Sequence, residues 1–251
     1  KLLNRTTRHV SITADGAAYY ERCVRILSDV REAEESLSRT RLSPSGRLRV
    51  DAPTALASEL IIPALPDFFA RYPDISLELG CSDRPVDLIE EGVDCAVRGG
   101  ELGDVNLIAR RVGVLHFITC AAPGYLARHG TPRTPHDLAQ HNCLGYTLSA
   151  TSGPTQWAFG KDGSVRQKVQ GNLRASNGDA LLTAALGGQG LIYQPSFIVG
   201  EAVASGALQT LTLDQPPRDL GGIHAIWPAA RHPPAKVRAM IDFLAKRLAV
   251  A

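Results

Sequence analysis

The chain has 251 residues, of which 44% are hydrophobic and 21% are charged, and its formal net charge is +2. These values are ordinary for a soluble globular protein, and the total charge does not by itself indicate a nucleic-acid partner. No stretch approaches the roughly 18 to 20 consecutive apolar residues of a membrane span, so we expect no membrane partner. The five cysteines are scattered without a C-x-x-C pair. This pattern predicts reduced thiols and a cytoplasmic location.

The first residues form a short basic arm. Residues 1–13 contain Arg5 and Arg8 but no acid, and Val10 and Ile12 alternate with polar neighbours as in a strand. The arm is either a solvated edge strand or a segment that contacts DNA phosphates. The charge pattern alone favours the solvated strand.

A long helix is predicted from Thr13, a good N-cap, to about residue 41. Its apolar residues alternate at spacings of four and three: Tyr19, Cys23, Ile26, Val30, Ala33 and Leu37. So narrow a stripe on so long a helix favours pairing with a second copy over packing on the helix's own domain. The Pro- and Gly-containing residues 43–46 then end the helix and form a linker.

From residue 47 onward, strand and helix patterns alternate. Strands are expected at residues 47–52, 75–79, 93–97, twice within 107–121, and at 143–148, 157–159, 165–169, 191–193, 208–213 and 223–227. Helices are expected to begin near residue 54 and to cover residues 85–91, 123–129, 178–186, 195–204 and 234–249. This alternation predicts an α/β fold with mostly parallel sheet and helices on both faces.

Enzymatic readings find no support in the motifs. The chain has no G-x-S-x-G, G-x-x-x-x-G-K-[ST] or H-E-x-x-H sequence. His129, His136 and His141 lie in a loop-rich stretch without cysteines or acids at metal spacing. We therefore expect no enzyme activity, no cofactor and no metal.

Taken together, the segments resemble LysR-type transcriptional regulators. Residues 2–23, LLNRTTRHVSITADGAAYYERC, are similar to the wing of the family's winged helix-turn-helix and the start of its linker helix. Residues 63–73, 81–88, 92–100, 121–126, 188–192 and 237–248 are similar to successive segments of its effector domain. The resemblance covers essentially the whole chain, in the right order.

The resemblance implies two Rossmann-like subdomains of periplasmic-binding-protein type II, preceded by a coiled-coil linker helix and the remnant of a winged helix-turn-helix. It divides the chain into a wing at 1–13, a linker helix at 14–42, a hinge at 43–46 and an effector domain at 47–251. Subdomain I would comprise about 47–119 and 222–251, and subdomain II about 120–221. The chain begins with Lys1, and the recognition helix would precede it.

Small and polar residues at presumed strand ends are candidates for effector binding, because ligands bind beyond the carboxyl ends of strands in such folds. They are Thr54, Ala55, Leu56, Ser82, Arg98, Gly99, Gly100, Tyr146, Thr147, Ser176, Asn177 and Gln194. Thr54 is also a candidate N-cap, and Ser82 a helix cap. For each of Tyr146, Thr147, Ser176, Asn177 and Gln194 taken singly, a role as a cap or turn residue is favoured over a ligand contact. Arg98 could clamp a carboxylate, although an ion pair with Asp94, Glu101 or another acid is favoured.

The resulting hypothesis is a DNA-binding, homodimeric or homotetrameric transcriptional regulator that responds to a small, possibly anionic effector bound between its subdomains. By the resemblance, Arg5 and Arg8 match wing positions near the DNA backbone or minor groove. DNA would be bound by the full-length protein. The alternative is a solute-binding module of the periplasmic type, which would have no use for residues 1–41.

Overall fold

The computed structural model describes residues 1–5, 10–37, 44–100, 107–147, 155–229 and 233–249. The predictions for Arg8, for the end of the linker helix beyond residue 37 and for Ser43 lie outside the described residues.

The chain opens with a hairpin and a long helix. Strand β1 (Leu3–Arg5) pairs antiparallel with β2 (Val10–Ile12), and helix α1 (Ala14–Leu37) follows. Thr13 Oγ1 accepts a hydrogen bond from the Gly16 amide at 2.9 Å and donates to the Lys1 carbonyl at 2.7 Å. This capping bond therefore confirms Thr13 as the helix start and ties the arm to it.

In chain order, the helices and strands after α1 are β3 (Gly46–Ala52), α2 (Thr54–Leu56), α3 (Leu65–Arg71), β4 (Ile75–Cys81), β5 (Cys95–Gly99), β6 (Leu107–Gly113), β7 (Phe117–Ala121), α4 (Pro123–His129), β8 (Gly145–Tyr146), β9 (Gln156–Phe159), β10 (Val165–Lys168), β11 (Arg174–Ala175), α5 (Gly178–Leu186), β12 (Ile192–Pro195), α6 (Ser196–Ala204), β13 (Gln209–Thr210), β14 (Ile223–Pro228) and α7 (Ala235–Leu248). A 3₁₀ segment, Pro135–Gln140, precedes β8.

Five strands form the first sheet, in the order β4-β3-β5-β14-β6. β3 pairs parallel with β4 and β5, whereas β14 runs antiparallel between β5 and β6. One face of this sheet packs against α3 and α7 in the largest apolar core. The carboxyl ends of β3, β4 and β5 therefore lie at one common edge.

The helix that follows β3 is interrupted. After α2, a π-helical turn (Ala57–Ile61) and a 3₁₀ turn (Ile62–Ala64) precede α3. Pro63 has no amide hydrogen and cannot complete the bond to the carbonyl four residues earlier, so the regular α-helical ladder breaks there. The run still buries its apolar side, with Phe68 completely covered.

The second sheet is built differently. β12, β7 and β13 form an antiparallel set with β7 in the centre, and β8 pairs parallel with β11. An isolated bridge between Cys143 and Leu191 joins the two sets. β9 and β10 form a separate hairpin.

Two expectations from the sequence need correction. The sheets are not mostly parallel, because β14 and the β12-β7-β13 set are antiparallel. Residues 85–91 do not form a helix: residues 85–87 are irregular and residues 88–91 form turns. There, Asp87 Oδ1 accepts hydrogen bonds from the amides of Ile89 and Glu90 at 2.9 and 3.0 Å, a local pattern that competes with helix formation.

The chain crosses between the two sheets twice. It leaves the first sheet after β6 and returns to it at β14. The second sheet has its own apolar clusters, around Trp157 and Phe159 on one side and Leu181 and Val199 on the other. No helix among the described residues is long and apolar enough to cross a membrane.

The buried Phe68 tests the packing of the first core. Its ring lies 5.2 Å from that of Phe243, centroid to centroid, and it is 0% exposed. Phe68→Ala should lower the free energy of unfolding by about 3–5 kcal/mol, because a large cavity opens. Phe69→Ala, at a neighbour that is 36% exposed, is the matched control. Equal losses in urea unfolding would contradict this packing.

Candidate functional site

A buried ion pair lies at the carboxyl-end edge of the first sheet. Arg98 Nη2 donates to Asp51 Oδ1, and the two residues lie on the adjacent strands β5 and β3. Asp51 is only 5% exposed. Burial raises the pKa of Asp51, and the positive charge of Arg98 works against that rise. The pair is thus a desolvated contact that needs both of its members.

The partner of Arg98 differs from the two acids named in the sequence analysis. Asp94 accepts a hydrogen bond from the Arg49 amide at 2.9 Å and pairs with Lys236 at 3.2 Å, and Glu101 lies outside the described residues. The favoured ion pair therefore forms, but with Asp51. The Arg98 guanidinium is engaged with that acid, which weakens its role as a clamp for an effector carboxylate.

Arg98 also holds the turn that follows β4. Its Nη2 lies 3.3 Å from the carbonyl oxygen of Arg84, to which it donates. Within the same turn, the Arg84 amide donates to Ser82 Oγ at 3.2 Å. Asp83 lies between these two anchored residues, so its carboxylate is held at the edge of the first sheet.

The Asp83 carboxylate contacts the start of α2. Oδ1 of Asp83 accepts a hydrogen bond from the Thr54 amide at 3.2 Å. Thr54 is the first residue of the helix, and the N-cap position belongs to Pro53, which provides no side-chain capping bond. The expectation that Thr54 is an N-cap is therefore wrong. Asp83 supplies the acceptor that the helix start lacks.

The Asp83 carboxylate also contacts the start of α5, on the side of the second sheet. Oδ2 of Asp83 accepts a hydrogen bond from Asn177 Nδ2 at 3.1 Å. Asn177 is the N-cap of α5, and its Oδ1 accepts from the Ala180 amide at 3.0 Å. Because that oxygen is committed to the cap, the amide nitrogen of Asn177 faces Asp83.

Tyr146 borders the same group from the end of β8. Tyr146 is 39% exposed. Burial of the rest of its side chain raises the pKa of Tyr146 to about 12, the negative charge of Asp83 adds to the rise, and the positive charge of Arg98 opposes it. The phenol therefore keeps its proton at neutral pH and can donate a hydrogen bond. We call the set around Asp83 the junction cluster: Asp51, Thr54, Asp83, Arg98, Tyr146 and Asn177.

Four predicted residues contribute little side-chain surface. Ala55 and Leu56 are buried, and Leu56 belongs to the core of the first sheet. Gly99 ends β5, and Gly100, the next residue, adopts a φ of +92° with its amide bonded to the Gly222 carbonyl. That positive φ favours glycine at this position.

The remaining predicted residues lie near strand ends but not all at the junction. Thr147 Oγ1 accepts from Arg174 at 3.2 Å, and Ser176 is exposed between β11 and α5. Gln194 is 3% exposed, and a Cβ on Gly178 would lie 3.2 Å from its Oε1. Gln194 thus packs beneath the first turn of α5.

Sequence reasoning missed two acids, Asp51 and Asp83. Asp83 directly follows the strand-end residue Ser82, so the same position argument applied to it. Asp51 is one residue from the end of β3, inside a strand that reads as buried, where an acid requires a partner. That partner, Arg98, is identified only by the register between β3 and β5.

Two further regions lie outside the junction cluster. Arg5 ends β1, and nothing is described of its side chain. A cavity of about 390 Å³ lies on the second sheet's side, bordered by Cys143, Lys168 and Arg174, and shares no residue with the junction cluster. Among the described residues, no group of His, Cys, Asp and Glu could hold a metal ion.

The comparisons with known proteins identify the family. The model of the LysR substrate binding domain matches residues 41–249. An HTH-type transcriptional repressor of Pseudomonas aeruginosa is 36% identical over 97% of this chain and 77% of its own length. The regulator CrgA of Neisseria meningitidis is 36% identical over 98% of this chain and 82% of its own. The chain belongs to the LysR-type transcriptional regulators.

Solved structures agree with this assignment. The structure of CrgA superposes with a TM-score of 0.72 at 35% identity, covering 99% of this chain and 84% of CrgA. The full-length structure of AphB, from Vibrio cholerae, gives 0.68 at 28% identity, with 99% and 84% covered. The resemblance, the two-subdomain periplasmic-binding-protein type II fold and the regulator function are thereby confirmed, and the solute-binding alternative is not favoured.

Substitutions test whether the buried ion pair of Asp51 and Arg98 stabilises the fold. Arg98→Met leaves the Asp51 charge buried without a partner and should lower the free energy of unfolding by about 3–5 kcal/mol at neutral pH. The double variant Asp51→Asn/Arg98→Met, which removes both charges, should recover a large part. If the single and double variants unfold at the same urea concentration, the pair does not have this role.

The loss of stability in Arg98→Met should depend on pH. The pKa of Asp51 is raised in the folded state above the ordinary 3.8. The Asp51 carboxyl therefore makes its full contribution to stability below pH 3.8, and this contribution is lost as the pH rises through the folded-state pKa. Without Arg98, the pKa of Asp51 in the folded state is raised further. Arg98→Met should therefore lose less stability relative to wild type at about pH 4 than at about pH 7. Urea unfolding across this range measures it.

Proposed function

We propose that this LysR-type regulator senses a small molecule at the junction cluster and transmits its presence to the paired linker helices. The observation that carries the proposal is the convergence of Thr54, Tyr146 and Asn177, which come from both sheets, around the Asp83 carboxylate, in a turn that Arg98 anchors. A ligand that contacts these residues would favour one arrangement of the two subdomains over another.

The proposed division of the chain follows the expected boundaries: wing 1–13, linker helix 14–42, hinge 43–46 and effector domain 47–251. Within the last, subdomain I would comprise about 47–119 and 222–251, and subdomain II about 120–221. Relatives named as transcriptional regulators support a role without catalysis. LysR-type regulators bind DNA and small-molecule effectors and oligomerise. We propose the same partners for the full-length protein, acting in the cytoplasm where the DNA lies.

Effector binding is tested at Tyr146, where substitution by Phe removes one hydroxyl group and leaves the ring in place. Compounds that raise the melting temperature of the chain would first be selected from a panel of small organic acids and amines. Tyr146→Phe removes only a donor hydroxyl and should weaken such a compound about fivefold, the worth of one hydrogen bond. Tyr72→Phe, which removes a hydroxyl at the residue after α3, outside the junction cluster, is the control. Calorimetry showing unchanged affinity for every such compound in Tyr146→Phe would place binding elsewhere.

Dimerisation is tested on the apolar stripe of α1. Ile26 lies on the stripe and is 61% exposed in the single chain. Ile26→Glu places a charge in the proposed seam and should shift the chain to monomer at micromolar concentration, as seen by sedimentation. Ala17→Glu, on the far side of the helix, is the control and should stay dimeric. A wild-type chain that sediments as a monomer would contradict the proposal.

DNA binding is tested on the full-length protein. It should shift a duplex containing the region upstream of its own gene, and substituting Arg5 and Arg8 by Ala should weaken that binding and reduce its salt dependence. Failure of the full-length protein to bind this duplex would count against the DNA part of the proposal.

A further inference from the structure

One residue connects the two subdomains in a way that the expected ligand contacts do not explain. Asp83 was not among the predicted effector residues, yet its two carboxylate oxygens are divided between the subdomains. Oδ1 accepts from the Thr54 amide at 3.2 Å, and Oδ2 accepts from Asn177 Nδ2 at 3.1 Å. Residues 83 and 177 are 94 positions apart along the chain.

Asp83 is the acceptor for two donors, the Thr54 amide and Asn177 Nδ2. At Thr54, the preceding Pro53 provides no side-chain cap, so Asp83 is the acceptor. At Asn177, the side-chain oxygen is used by the Ala180 amide, which fixes the nitrogen toward Asp83. Losing Asp83 would leave two donors without their acceptor, one on each side.

Asp83 is also held in place on its own side. Arg98 donates to the Arg84 carbonyl while pairing with the buried Asp51, and Ser82 accepts from the Arg84 amide. The turn is therefore braced by the first sheet, and movement of Asn177 away from it must break a hydrogen bond to a fixed acceptor.

We propose that Asp83 is an intramolecular latch whose hydrogen bond to Asn177 Nδ2 holds the two subdomains together, and that a ligand carboxylate releases the latch by taking Asn177 Nδ2 away from Asp83. The inference deepens the proposed function and rests on it for its regulatory meaning. It assigns the ligand class by chemistry: the two donors already hold a carboxylate, and the guanidinium of Arg98 is committed to Asp51. One hydrogen bond to a charged group crosses between the subdomains, and a bond of this kind is strong enough to shift the population of two arrangements and weak enough to be exchanged for a ligand.

A reciprocal exchange of the two side chains tests the latch. Asn177→Asp keeps the capping oxygen for the Ala180 amide but places a second carboxylate against Asp83. Asp83→Asn keeps the acceptor for Thr54 but turns an amide nitrogen toward Asn177. Each single variant should melt lower than wild type by about 3–6 °C. The double variant, which restores a donor opposite an acceptor with the same net charge, should melt close to wild type.

Asp87 provides the matched control. It lies on the same segment and accepts two amide hydrogen bonds, but both are within its own turn. Asp87→Asn combined with Asn177→Asp should show additive losses. Additive losses for the Asp83 and Asn177 pair as well would overturn the latch.

Supplying a free carboxylate in place of the Asp83 side chain tests the ligand class. In Asp83→Ala, sodium formate should recover a large part of the lost melting temperature, while formamide and sodium chloride at matched concentrations should not. Wild type, with its own carboxylate in place, should gain no more from formate than from chloride. An Asp83→Ala chain that responds equally to all three additives would overturn the proposed carboxylate competition. Neither measurement uses DNA or an effector, so failure here is distinguishable from failure of the regulator proposal.

Discussion

The junction between the subdomains depends on the ion pair between Asp51 and Arg98. A carboxylate that is 5% exposed inside a parallel strand would destabilise the fold if it stood alone. Arg98 compensates it from the neighbouring strand and, with the same nitrogen, donates to the backbone of the turn after β4. One buried charge pair thus determines where the edge of the first sheet places its polar groups.

From this pair, the contacts lead outward to the second sheet. The braced turn presents Asp83, which caps the start of α2 and meets the N-cap residue of α5. A LysR-type regulator has to convert ligand binding into a change of arrangement, and the coupling free energies of such proteins are typically 1–3 kcal/mol. The hydrogen bond from Asn177 to the Asp83 carboxylate, which crosses the junction, lies in that range. The N-termini of two helices, one on each side, are therefore connected through a single side chain.

Much of the fold follows from local patterns. The strand and helix periods and the Thr13 cap predicted an α/β fold after a long helix, and the resemblance to LysR-type regulators implied its two subdomains. Local patterns failed where a competing interaction decided the outcome: Asp87 folds residues 88–91 into turns, and Pro63 divides the helix after β3. The antiparallel direction of β14 is set by the chain returning from the second sheet, which no local spacing encodes.

The candidate site was predictable only in outline. Strand ends gave Thr54, Tyr146 and Asn177, which lie around one carboxylate. The partner of Arg98 is 47 positions away and depends on strand register, and Asp83 could not be preferred over Ser82 without knowing which side chain reaches Asn177. Effector roles for the individual residues stay predictions.

The rate of hydrogen exchange at the Thr54 amide tests most directly whether the buried pair positions the junction. Arg98 does not contact Thr54, but it anchors the turn whose Asp83 accepts from that amide. Measured by NMR at native pH, the amide should be protected in wild type and should exchange at least about tenfold faster in Arg98→Met, corresponding to a loss of about 1.4 kcal/mol. Unchanged protection of Thr54 in that variant, with faster exchange elsewhere in the first sheet, would contradict the account.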